Sequence, residues 1–83
     1  MDKRRKLARD YLEDATLKNF WDVVHGAKIN DKEKEILDLR FVRGLSITQI
    51  ALRLNWSPEH IKNAIKRSYD KVAHLLEFGW QED

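Results

Sequence analysis

Apolar residues recur at three- and four-residue spacing along most of this chain, and no long alternation of apolar and polar positions interrupts them. That period belongs to helices and not to half-buried strands, so the pattern predicts an all-α fold. Leu7, Tyr11 and Leu12 fall near one face of a first segment spanning about residues 3–14. Leu17, Phe20, Trp21 and Val24 then form a stripe at i, i+3, i+4 and i+7. Thr16 is placed to cap that segment. Gly26 is placed to end it, because a residue without Cβ enters the left-handed conformation cheaply. The pattern leaves open whether residues 3–25 make one bent helix or two.

Start and stop signals divide the remainder. Asn30-Asp31-Lys32-Glu33 reads as a capping box, with Ile29 where a hydrophobic staple would sit. The helix it opens carries Ile36, Leu37, Leu39, Phe41 and Val42 and is expected to stop at Gly44. Ser46-Ile47-Thr48-Gln49 repeats the capping logic for a short helix over 47–54, which buries Ile47, Ile50, Ala51 and Leu54. Asn55 follows, a residue that tolerates positive φ better than most. Ser57-Pro58 opens the last helix with a cap and a proline at the first helical position, where a missing N–H costs nothing. This helix runs to about Phe78 with Ile61, Ala64, Ile65, Tyr69, Val72, Leu75 and Leu76 inward.

Composition narrows the function classes. Eighty-three residues allow one small helical bundle. The absence of cysteine excludes disulfide staples and thiolate metal sites. No apolar run approaches the roughly 20 residues of a membrane span, and no apolar stretch follows the basic N-terminus to make a signal peptide. A soluble, cytoplasmic protein with no membrane contact is expected. The net charge of +2 is unevenly distributed: +4 over residues 1–9, −4 over 10–39, +5 over 40–74 and −3 over the last nine. Two basic segments flanking an acidic one suit contact with a polyanion through selected surfaces.

The segment Ile47–Arg67 carries the most specific signal, that of a helix-turn-helix. Such a motif needs a short helix, a tight turn and a second helix projecting its first turns. Ala51 is small where the helices must cross, Asn55 suits the turn, and Ile50, Leu54, Trp56, Ile61 and Ala64 fill the angle between the helices. Ser57, Pro58, Glu59, Lys62, Asn63, Lys66 and Arg67 are then left facing outward. A helix fits the major groove of DNA, and the residues of its first turns meet base edges. Ser57, Pro58, Glu59, Lys62 and Asn63 are the expected base-facing set. Within it Glu59 suits the cytosine amino group, Asn63 adenine and Lys62 guanine. Thr48, Gln49, Arg53, Lys66 and Arg67 are expected at phosphates, where contacts position the module without reading sequence. The basic N-terminal residues Lys3, Arg4, Arg5, Lys6 and Arg9 either add phosphate or minor-groove contacts or keep the chain soluble.

Enzymatic chemistry finds no support. His25, His60 and His74 have no ligand spacing, so no metal or other cofactor is expected. His60 serves either DNA contact or packing. Asp31, Glu33, Glu35 and Asp38 occupy the opening turns of a helix, where negative charge suits the dipole. No phosphate loop or nucleophile motif occurs.

The stretch from about Thr16 to Leu76 resembles the fourth conserved region of bacterial sigma factors. The residues that carry the resemblance are Asn30 through Phe41, Gly44-Leu45-Ser46, Gln49-Ile50-Ala51 with Leu54, and Ser57 through Arg67 with Lys71. The resemblance implies a region-four-like helix-turn-helix that reads double-stranded DNA, with Glu59 and Lys62 in base-reading places. It further implies a freestanding regulator, of the kind that phages and mobile elements encode, and docking on RNA polymerase. The surface of residues 16–43, with Phe20, Trp21 and Phe41, would do the docking unless those rings are core.

The expected organisation is a basic N-terminal helix or arm over 1–15, a helix-turn-helix domain over 16–78 and a C-terminal tail over 79–83. The leading expectation is a sequence-specific, DNA-binding transcription regulator and not an enzyme. The alternatives are a module that binds RNA polymerase or a sigma factor with secondary DNA contact, and a phage DNA-packaging protein of the small-terminase kind. A single module has a modest interface, so a homodimer or a polymerase partner is also expected.

Overall fold

The computed structural model describes residues 3–79, and these form five helices: α1 (Lys3–Asp14), α2 (Leu17–Gly26), α3 (Asp31–Leu37), α4 (Ile47–Leu54) and α5 (Pro58–Phe78). The tail expected at 79–83 lies outside the described residues beyond Gly79. No helix among the described residues is long and apolar enough to cross a membrane.

The first two helices are separate. α1 ends at Asp14, and Thr16 takes an extended conformation while its hydroxyl accepts from the Asn19 amide at 3.2 Å. α1 does not trail as an arm. Its most extensive contact is with α5, against which Ala8 and Leu12 are buried. Arg4 pairs with Glu77 and Arg5 with Asp70, so the two helices run antiparallel.

Several apolar expectations are corrected. Leu7 is 46% exposed and Leu17 61%, and the core takes Val23 in addition to Phe20 and Val24. Gly26 is the last residue of α2 and not a left-handed terminator; that conformation falls on Lys28, at φ 58°. The chain turns two residues later than the glycine rule implies, because Ala27 extends the helical conformation by donating to the Val23 carbonyl.

α3 does not continue as a uniform α-helix to Gly44. Asp38–Val42 form a π-helical turn, closed by an Arg43 amide donating to the Asp38 carbonyl at 3.0 Å. A π turn takes one residue more per hydrogen-bonded ring than an α turn and rotates the residues after it. Leu39 is thereby buried, Phe41 is half-buried, and Val42 turns 43% outward. The fully buried centre is built from Val24, Ile36, Leu37, Ile50, Ile61 and Val72, one or two from each helix after α1. Ser68 is buried among them without penalty because its hydroxyl donates to the Ala64 carbonyl at 2.9 Å.

Candidate nucleic-acid interface

α4 and α5 and the bend between them are shaped by local chemistry. The Ser46 hydroxyl accepts from the Gln49 amide at 3.1 Å, and the Gln49 side chain accepts from the Ser46 amide at 2.8 Å. Two orphan donors at the start of α4 are satisfied reciprocally. Asn55 ends α4 in the left-handed region at φ 58°, ψ 42°, and the Trp56 amide donates back to the Ala51 carbonyl at 3.0 Å. The Ser57 hydroxyl then accepts from the His60 amide at 3.1 Å, with Pro58 in the first turn of α5.

This bend sets α5 across α4 with Ile50, Ala51, Ile61, Ala64 and Ile65 buried in the angle. Every residue expected at DNA is exposed: Ser57 at the cap of α5, Pro58, Glu59, Lys62, Asn63, Lys66 and Arg67 on α5, and Thr48, Gln49 and Arg53 on α4. Glu59, Lys62, Asn63 and Lys66 recur at three- and four-residue steps, which puts them on one strip of α5.

α1 sets the length of that strip. The carboxylate of Asp70 accepts from Arg5 at 2.9 and 3.1 Å, and Glu77 accepts from Arg4 at 3.1 Å. The Arg5 hydrogen bond holds the Asp70 carboxyl below its ordinary value, with its charge close by adding to the effect. Beyond Tyr69 the continuation of that strip, at Asp70 and Glu77, is therefore engaged by α1. Pro58–Arg67 remain clear, about 15 Å of helix at 1.5 Å per residue. The major groove is about 12 Å wide, so this length suffices to lie in it.

A model of the family described as sigma-70, region 4, matches residues 27–74. The chain belongs to the sigma-70 region 4 family. Comparisons with curated proteins and with solved structures find no match. The region 4 match takes in α3, the π turn, α4 and all but the end of α5, whereas α1 and α2 precede it. Region 4 is a DNA-binding helix-turn-helix of a regulatory, non-enzymatic family.

Within this region 4 unit, three relationships escaped sequence reasoning. Glu33, read as part of a capping box, is 2% exposed and also pairs with Lys71 at 2.7 Å and Arg67 at 3.5 Å. Arg67, expected at phosphate, thus has its Nε turned toward Glu33 while its side chain stays 56% exposed. His60 lies against the Trp56 ring at 4.1 Å between centroids, and Lys32 lies over the same indole at 5.2 Å, so α3 is tied to the turn. The Arg40 guanidinium donates to the Leu45 carbonyl at 3.2 Å and steadies the loop before α4. The i, i+38 spacing of Glu33 and Lys71 gives no periodic signal, and a buried glutamate within a charged run looks solvated. Phe20, Trp21, Phe41 and Tyr69 form a chain of ring contacts at 5.0 to 6.3 Å, so these rings close the core.

Proposed function

We propose that this protein is a sequence-specific, duplex-DNA-binding regulator of transcription, with Pro58–Arg67 of α5 lying in the major groove. The observation that carries the reading is the exposed polar strip at the start of α5, held out from the bundle by a well-capped bend and left clear by α1. Base contacts fall to Glu59, Lys62 and Asn63, with Ser57 and Pro58 at the approach. Glu59 accepts from a cytosine amino group, Asn63 pairs its donor and acceptor with adenine, and Lys62 donates to guanine. Thr48, Gln49, Arg53, Lys66 and Arg67 hold phosphates. Gln49 keeps its amide N–H group for this, since its oxygen is engaged in the capping box.

RNA polymerase is the second partner in this reading. Leu17 and Val42 are exposed and border a shallow cleft with Phe20 and Phe41, on the part of the chain away from the α4–α5 bend. Single DNA-binding modules bury only about 600–1,000 Å² of protein surface, and a polymerase contact there would supply the rest of the affinity at a promoter.

The test is selection of bound duplexes from a random pool, followed by affinity measurements on the winner and a scrambled control. Asn63→Ala and Lys62→Ala should each lower discrimination at one base pair by about 1–3 kcal/mol, whereas Lys66→Ala weakens both duplexes alike. A wild-type protein that selects no sequence, or three variants that bind as the wild type does, would defeat the proposal.

A further inference from the structure

Lys62 and Lys71 are nine residues apart and so half a turn out of phase on α5. On the Lys62 flank, opposite the Glu33 cluster, a cleft of about 260 Å³ opens among α1, the π turn, α4 and α5. Its rim carries Arg9 from α1, Arg40 from the π turn, and Lys62 and Lys66 from α5. Its floor is Ile47, Ile65 and Tyr69. Resting on the regulatory reading of α5, we propose that this cleft seats a phosphate of the DNA backbone beside α5, and that α1 extends the DNA-binding surface beyond the family segment by supplying Arg9.

Charge and geometry support this together. Four cations face the cleft, and among the described residues the carboxylates that pair with any of them are Asp10, at 3.2 Å from Arg9, and Glu13, at 3.9 Å from the same side chain. A surplus of two positive charges remains for one phosphate diester and its neighbours. The side chains of Asp10 and Glu13 are about half exposed, so solvent screens their hold on Arg9 and a phosphate oxygen can replace them. Arg40 commits a donor to the Leu45 carbonyl, which fixes its planar head while other N–H groups stay open. The volume admits a phosphodiester with several waters at about 30 Å³ each. A phosphate strand is the occupant that fits, because Lys62 and Lys66 belong both to the cleft rim and to the strip that faces the groove. A strand bordering the groove must pass along this flank when α5 lies in it.

The full-length chain is titrated with the selected duplex and the scrambled control at several salt concentrations, as wild type, Arg9→Gln and Arg9→Lys. Arg9→Gln should weaken both duplexes by the same factor and flatten the plot of log affinity against log salt by about 0.9, one phosphate contact. Between about 50 and 200 mM salt, the wild type should then lose roughly threefold more affinity than this variant. Arg9→Lys should keep the wild-type slope. An unchanged slope in Arg9→Gln, with Lys66→Ala flattening it, overturns the assignment. Should Arg9→Gln fail to fold, NMR of the wild-type protein decides the matter. Duplex-dependent shifts at the Arg9 side chain support the seat, and shifts at Lys66 without Arg9 refute it. If the wild type binds no duplex, the regulatory reading falls by itself, and inorganic tripolyphosphate takes the place of DNA. Saturable shifts at Arg9 and Arg40 then retain a phosphate site, and their absence removes it.

Discussion

The Lys71 ammonium sits 2.7 Å from a carboxylate oxygen of Glu33, and that glutamate is 2% exposed. The pair joins the start of α3 to the middle of α5. The same Oε1 accepts from the Asn30 amide at 3.3 Å, so one oxygen closes the capping box and receives the lysine. Burying a carboxylate is costly unless it is paired and hydrogen-bonded, and losing one partner leaves the other exposed to that cost. Lys71 is 39% exposed, which places the pair between the surface and fully buried limits. Glu33→Ala should therefore destabilise the protein by about 2 kcal/mol in urea unfolding, with the dependence on denaturant unchanged. Glu33→Gln keeps an acceptor for Asn30 and Lys71 and should cost less. Equal stability of wild type and Glu33→Ala would show the pair to be energetically idle.

Lys28 and Asn55 share a left-handed φ of 58°, yet they should respond differently to glycine. The left-handed region costs most L-residues roughly 1–2 kcal/mol, while asparagine offsets part of this by local hydrogen bonding. Lys28→Gly should accordingly stabilise the fold by about 0.5–1 kcal/mol, net of the entropy glycine adds to the unfolded chain. Asn55→Gly should be nearly neutral, and Asn55→Ala should lose about 1 kcal/mol. Thermal unfolding of the three variants checks the order, and a destabilised Lys28→Gly would contradict it.

The capping signals show why so much of the fold was legible in the sequence. Thr16, Asn30, Ser46 and Ser57 each accept from the backbone amide three residues on, as their side chains predict. Caps act within one turn, so local sequence suffices to place them. The inward faces of α4 and α5 were legible for the same reason, because helical period and burial agree from Ile50 to Leu75. What escaped depends on contacts between distant segments. Nothing near Leu17 reveals that it stays outside while Val23 goes in, and the π turn appears only once Leu39 must reach the core. The exposure of the candidate DNA-facing residues followed from period. The long-range ion pairs did not: Arg5 with Asp70, and Glu33 with Lys71 and Arg67, close across the tertiary fold.

Tyr69 sets the expected behaviour at high pH. Burial raises its phenol above the ordinary value of 10.0, with nearby Glu13 adding to the rise and Arg40 and Arg9 opposing it. A raised acid in the folded state means that the unfolded chain releases its proton first as pH climbs. The stability tied to the neutral phenol is therefore complete below about pH 10 and is lost as pH rises through the folded value. Tyr69→Phe should match the wild type near pH 7 and lose less stability above pH 10. Parallel alkaline unfolding curves for the two proteins would exclude this tyrosine as the cause.

Ala51 offers a test of the bend itself. It is 4% exposed at the point where α4 passes α5, and its carbonyl accepts from the Trp56 amide. A larger side chain there has to displace α5, because a packed interior absorbs added methylenes only through backbone shifts or strained rotamers. Ala51→Leu should cost about 1–3 kcal/mol in stability. Its effect on DNA should exceed that of losing any one phosphate contact, since all residues of the α5 strip move together with the helix. Compared at a temperature where the variant remains folded, its affinity for the selected duplex should fall further than that of Lys66→Ala. A folded Ala51→Leu protein with wild-type DNA affinity would mean that the crossing of α4 and α5 does not set the presentation of the helix.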